Sequence, residues 1–526
     1  MTLFKPTKST RRALLKQFAA TASASMLANL PQANAQTTAP KAHFGMEDVV
    51  ARAKALSESP FQDSPPPLPK EIADLDFDTW RSLRFKPAKA FLADRSGAYR
   101  LELFHLGHLF KRPVVVNIVH DGIVAPIPYS TSLFDTDRLK LKQVLPVGLG
   151  FAGFRLHTHL NDPQRFDELI AFLGASYFRF LGRDQHYGLS CRAIAVNAGT
   201  DQEEFPFFKE FWVDSPAPDS ARVTVYGLLD GASLTGAVQM EIYPGKNTVV
   251  DVHFTLFTRR DNVKLGFAPL TSMFLNGEND HRIASGYRPQ LHDSDGLLMH
   301  SGHGEWIWRA LRNPAKPEIS SFMDQSLKGF GLLQREREFS AYQDIDLAYQ
   351  TRPSYWVEPH GDWGKGRVEL IELPTADESN DNIVASFVPD VTPAVGKPFN
   401  FSYQITATQN QPHLSPGGRA IHTFVAPAAA LGAKEAAPTN STRFIIDFAD
   451  GDLAFYLHDS MLLKVMASAS NGKILRTAIE ANPSIRGFRA NVDVQVPAGQ
   501  SADVRVFLQA GARTLTETWT FPFAAM

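Results

Sequence analysis

The chain has a single cysteine, Cys191, among its 526 residues. No internal disulfide can form and no thiolate metal cluster can be built, so stability has to come from packing. A Gly-x-Ser-x-Gly elbow is missing, which removes the usual serine hydrolase arrangement. Phosphate-binding loops and dinucleotide fingerprints are absent as well. Internal repeats and low-complexity tracts are also lacking. Two close histidine pairs, His157-Thr158-His159 and His300-Ser301-Gly302-His303, find no third ligand in their neighbourhood, so neither a metal nor any other cofactor is expected.

Acidic residues are wholly missing from the first 35 positions, which carry Lys5, Lys8, Arg11, Arg12 and Lys16. Thr10-Arg11-Arg12-Ala13-Leu14-Leu15-Lys16 reads as a twin-arginine motif. The mildly apolar residues 18–30 form an h-region, and Ala33-Asn34-Ala35 offers a small-residue cleavage site before Gln36. Without those five cations, 48 basic residues face 55 acidic ones, a net charge of −7. Such a balance disfavours nucleic acid and anionic lipid as partners. No later apolar run approaches the length that spans a bilayer, so the expected location is the periplasm.

What the chain has in quantity is Phe (38), Gly (35) and Pro (35), a mixture that suits β structure with many turns. At this length two domains are expected. Val49, Val50, Ala53 and Leu56 have helical spacing over residues 46–56, ahead of the connector Pro65-Pro66-Pro67-Leu68-Pro69. Beyond Gly97, short alternating or β-branched runs dominate, among them residues 99–104, 114–119, 223–229, 238–243, 249–257 and 368–371. Their spacing predicts stacked antiparallel sheets. A helix is expected over residues 163–173, where Asp162 can cap and Phe166, Leu169, Ile170 and Leu173 share a face. Residues 408–419, with two prolines and a Gly-Gly pair, read as a linker between a domain of residues 36–407 and one of residues 420–526. The latter again alternates and suits a small β-sandwich.

Chemistry-bearing residues concentrate over 271–381. His292-Asp293-Ser294-Asp295-Gly296, Gly304-Glu305-Trp306-Ile307-Trp308-Arg309, Tyr349 and Arg352-Pro353-Ser354-Tyr355-Trp356 set carboxylates and arginines beside aromatic rings. A sugar asks for that combination, since rings cover its apolar face while charged groups take its hydroxyls. The same residues would also serve as sandwich core and turn caps. Hydrolysis of a glycosidic bond needs two carboxyls in unlike environments. In Asp377-Glu378-Ser379-Asn380-Asp381 three acids crowd a short loop, and like-charge proximity is expected to raise one of them. An exposed acidic turn is the bland alternative.

Several segments, taken together, resemble the family of periplasmic glucan biosynthesis proteins G and D. They are Leu149-Gly150-Phe151-Ala152-Gly153-Phe154-Arg155, Phe172-Leu173-Gly174-Ala175-Ser176-Tyr177-Phe178-Arg179, Thr271-Ser272-Met273-Phe274, His292-Asp293-Ser294-Asp295-Gly296, residues 329–335, residues 352–359 and Glu517-Thr518-Trp519. The twin-arginine motif points to the D branch. The resemblance implies a mainly β fold, a large galactose-mutarotase-like β-sandwich followed by a small immunoglobulin-like one. It also implies a role in making osmoregulated periplasmic glucans, with inverting β-1,2-glucanase activity. By motif, the general acid falls on Asp381 and the general base on Asp293. Glu378 is a supporting acid, and Tyr349, Arg352, Trp356 and Trp306 line the cleft. Asp377 and Ser379 depart from the family pattern, which has glycine and threonine there. β-1,2-glucan is the implied partner, with the membrane glucan synthase and a second copy of the chain as further ones. Two other readings stay open: a non-catalytic glucan-binding factor that assists the membrane glucosyltransferase, and a sugar epimerase.

Overall fold

Strands whose side chains alternate between two faces bury one face by stacking sheet on sheet, and the chain follows that rule twice over. The computed structural model describes residues 43–526 apart from 64, 94–96, 137–144, 147, 281–285, 410–413, 429–437 and 525–526. The twin-arginine motif and its cleavage site lie outside the described residues. Among those described, no helix is long and apolar enough to cross a membrane.

The first large sheet runs in the order Tyr99–Phe104, Gly153–Thr158, Asp167–Leu173, Tyr177–Phe180, Ser190–Arg192, Leu265–Ser272, Ile383–Pro389, Lys365–Glu372 and Glu318–Gln325. The second is longer. It passes from Val115–His120 through Phe207–Asp214, Val223–Asp230, Leu234–Tyr243, Thr248–Thr258, Phe399–Thr408, Ser354–Pro359, Gly329–Leu333 and Gly296–His300 to Trp306–Ala310. Aromatic rings from the two sheets meet between them. Phe267 stacks on Phe401 with ring centres 4.0 Å apart, Phe180 on Tyr355 at 4.6 Å, and Phe154 meets Phe211 edge-on at 5.0 Å. Burying such rings contributes about 1.5–3 kcal/mol each. Helix Met46–Ser57 lays Val49 and Ala53 on the second sheet beside Trp212, Leu228 and Ala237. Cys191 is buried in the core, and burial pushes its thiol well up.

The expected helix over 163–173 is instead a strand, Asp167–Leu173. It pairs with Gly153–Thr158 on one side and Tyr177–Phe180 on the other. Asp162 does bind a backbone N–H, that of Gln164 at 2.8 Å, but two residues on, so it closes a turn and caps nothing. Apolar residues at 166, 169, 170 and 173 fit a helical period, yet so short a run fits a buried strand equally well, and the two neighbouring strands decide.

Residues 409–418 connect strand Phe399–Thr408 to Arg419–Pro427, which opens a separate four-stranded sheet with Ser441–Ala449, Gly487–Gln495 and Lys473–Asn482. The chain then returns to the second large sheet. Thr518–Ala524 pairs in parallel with Trp306–Ala310, and Ser501–Ala510 and Leu463–Ala469 follow it outward. A second core therefore draws on both parts of the chain, with Leu298, Trp308, Leu333 and Trp356 packed among Phe444, Phe488, Val504 and Trp519.

A buried ion pair lies at this junction. Arg335 donates to both oxygens of Glu517, at 2.8 and 2.9 Å, and its guanidinium covers the Trp308 ring at 3.6 Å. The Glu517 side chain is fully shielded. Removing one member of such a pair strands the other without water, at a cost of about 3–5 kcal/mol. Glu517→Ala is expected to lower the unfolding free energy by that amount, measured by guanidinium denaturation.

Candidate active site

Strand Leu265–Ser272 is buried at every position. Both carboxylates singled out in the sequence stand at its C-terminal end. The Thr271 hydroxyl donates to Asp381 Oδ2 at 3.4 Å. Two residues on, the Met273 carbonyl accepts the backbone N–H of Asp293 at 2.8 Å.

The two acids differ in environment. Asp293 is only 4% exposed, and its carboxyl is pushed up to about 6, by burial first and by the charge of Asp381 in addition. Arg352, which donates to Asp293 Oδ1, opposes that rise. Arg352 is itself fixed by stacking over the Tyr349 ring at 3.7 Å. Asp381, by contrast, is exposed. It lines a cleft of about 710 Å³ together with Glu168, Tyr177, Arg179 and Tyr187. Residues alternate across strand Tyr177–Phe180, so Phe178 and Phe180 are buried while Arg179 points outward.

Glu378 sits between two donors. The Tyr349 hydroxyl donates to it at 3.0 Å and Arg288 at 2.7 Å, and Arg288 also binds Asp344 at 3.0 Å. Arg288 thus bridges Glu378 and Asp344. Asp377 is held below the usual carboxylate range by the Ser379 hydroxyl and then by the Ser379 N–H. The acid that like-charge proximity is expected to raise is not Asp377, because its carboxylate is satisfied within its own turn. Asp377 and Ser379 are therefore partners of each other.

Asp293, Arg352, Tyr349 and Glu378 form one chain of contacts behind the cleft lining, and the charge of Asp381 acts on Asp293. Trp356 and Trp306 do not join it. Along Ser354–Pro359, Tyr355 faces the core between the large sheets and Trp356 the opposite side, in the second core, where it stacks on Trp306 at 5.7 Å. Trp306 in turn covers His300 at 4.1 Å. Placing both indoles on the cleft is corrected by the two-residue alternation of the strand.

The cleft's own aromatic and charged wall comes from residues that the sequence did not mark as functional. Glu168 accepts the Tyr187 hydroxyl and an Arg155 N–H, both at 2.9 Å. The Arg179 Nε donates to Ser190 Oγ at 2.7 Å. Segment 172–179 was among those carrying the resemblance, so Tyr177 and Arg179 were findable there. Glu168 was hidden inside a presumed helix.

The histidine pairs are engaged separately. His157 meets Glu102 at 3.4 Å, His159 the Arg165 carbonyl at 3.0 Å, and His300 the Trp306 ring.

Asn382 anchors the acidic loop. Its side chain accepts from the Phe274 N–H at 2.8 Å and donates to the Phe274 and Leu373 carbonyls at 3.0 and 2.9 Å. Asn382→Ala leaves those buried groups unpaired, and a loss of about 1–3 kcal/mol is expected in chemical denaturation.

Comparison with known proteins gives a consistent result. Residues 44–523 match the family described as periplasmic glucan biosynthesis protein, MdoG. The chain is 41% identical to glucans biosynthesis protein G of Ralstonia nicotianae, over 91% of this chain and 95% of that protein. It is 42% identical to the probable glucans biosynthesis protein D of Shewanella oneidensis, over 86% of this chain and 84% of that one. Identity to relatives of the two names is nearly equal.

Proposed function

The chain belongs to the family of periplasmic glucan biosynthesis proteins, and from that premise we propose that it acts in the periplasm as an inverting β-1,2-glucanase that trims the glucan backbone. The observation that carries this reading is the pair of unlike carboxylates at the end of one buried strand, Asp293 enclosed and Asp381 open to the cleft.

Asp381, as the general acid, would give a proton to the glycosidic oxygen as the bond to the anomeric carbon breaks. Water would attack that carbon from the opposite face, and its proton would pass by way of a substrate hydroxyl to the Asp293 carboxylate. Inversion leaves room for such a water between acid and base. Arg352 favours the ionised form of Asp293, which a base requires. Arg288 and Tyr349, by holding Glu378, keep the loop that carries Asp381 in place. Arg179 and Glu168 on the cleft wall offer a donor and an acceptor for sugar hydroxyls, with the Tyr177 and Tyr187 rings beside them.

The exposure of Asp381 in the free protein also suits a non-catalytic glucan-binding factor that assists the membrane glucosyltransferase. The two readings separate on product. Protein from Gln36 onward, incubated with linear β-1,2-glucan, is expected to release reducing ends, and Asp381→Asn and Asp293→Asn to lose about 10²–10⁴-fold of that rate. Glucan binding without any release by the parent would instead support the binding factor.

The pH profile carries a second expectation. A base must be deprotonated, so kcat/KM is expected to rise through about pH 6 as Asp293 ionises. Arg352 holds that carboxyl down, so Arg352→Gln should move the acidic limb to higher pH.

A further inference from the structure

A small cavity lies where the first part of the chain meets the four-stranded sheet. It holds about 30 Å³, enough for one ion or a water, and its lining includes Glu278, Asp295, Trp308, Glu336 and Thr423. Glu278, Glu336 and His422 each bring one nitrogen or oxygen within 4.8 Å of the others'. His422 Nδ1 lies 2.8 Å from Glu278 Oε1, and the Thr423 N–H donates to Glu278 Oε2 at 3.4 Å. One Glu336 oxygen accepts the Glu338 N–H at 2.7 Å.

A separate observation points to a cation. Asp295 Oδ2 takes the N–H groups of both Arg335 and Glu336 at 2.9 Å, whereas Asp295 Oδ1 is buried with no hydrogen-bond partner. An unpaired buried carboxylate oxygen is costly, and here it shares a cavity with two more carboxylates. The nearby guanidiniums act on Asp295 by their charge, but their hydrogen bonds go elsewhere. Arg335 is bound to Glu517, while Arg337 donates to the carbonyls of Gln350 and Arg352 and to Ser354 Oγ.

We propose that Glu278, Glu336 and His422, with Asp295 facing the same cavity, bind one divalent transition-metal ion, Zn²⁺ by its donor set. Imidazole nitrogen with carboxylate oxygen in a site of about four ligands is zinc chemistry, whereas Ca²⁺ takes six to eight oxygens. Because His422 belongs to strand Arg419–Pro427 of the four-stranded sheet and the carboxylates precede it by 86 to 144 positions, the ion would clip two distant parts of the chain together.

The test uses EDTA-treated protein from Gln36 onward, titrated calorimetrically with ZnCl₂, with CaCl₂ and MgCl₂ for comparison. One Zn²⁺ per chain is expected, with a raised melting temperature and at least tenfold weaker binding in both His422→Gln and Glu336→Gln. A control, His360→Gln, removes the exposed histidine paired with Asp251 at 2.9 Å and should leave binding unchanged. X-ray absorption at the zinc edge of the parent protein needs no variant to fold, and one imidazole among oxygen ligands is expected. Absence of binding, binding undiminished in both substitutions, or a spectrum of several imidazoles would overturn the proposal.

Discussion

Strand Leu265–Ser272 is the constraint on which the site depends. With all eight positions buried, it can lie only in the middle of the first sheet, with the second sheet stacked on it through Phe267 and Phe401. Its register with Ile383–Pro389 shifts between Phe267 and Leu270, and Ala268 adopts a left-handed backbone with φ of 45°. A side-chain-bearing residue holds that conformation only where its surroundings enforce it, and here strands on both sides do. Beyond the bulge Thr271 stays paired with Val384 and Ser190, and Met273 lies just past the strand's end. Thr271 and Met273 then hold Asp381 and Asp293.

Fixing both acids from one strand end allows them to differ. Asp293 follows the two-residue strand Leu291–His292 and is folded inward, against Met273 and under Arg352. Asp381 comes from a loop that faces outward. Burial and exposure are therefore separated by a couple of residues of backbone, and the unlike carboxyls that glycosidic cleavage demands arise from sheet geometry alone.

Alternation made the strands readable, because half-buried strands write their two faces into every second residue. Residues 99–104, 223–229 and 249–257 fall in observed strands to within a residue or so. Where alternation and helical spacing coincide, over 166–173, the local pattern had no means of deciding. Trp306 and Trp356 show a different limit. Aromatic residues beside carboxylates in sequence suggest one site, but consecutive strand residues point to opposite faces, so Trp356 belongs to the second core while its neighbour Tyr355 faces the core between the large sheets. The Glu278, Glu336 and His422 cluster left no trace at all in the sequence, since its members come together only when the chain returns after residue 418.

The acidic loop shows how three carboxylates in one short turn can be kept apart. A carboxylate at Asp377 stands only one and four positions from those of Glu378 and Asp381. Asp377 and Ser379 form a closed turn in which the serine hydroxyl and N–H satisfy that charge. Glu378 is turned the other way by Arg288 and Tyr349, and Asn382 pins the far end to Phe274. With its flanks fixed by groups that do not touch Asp381, the loop presents that one carboxylate to the cleft.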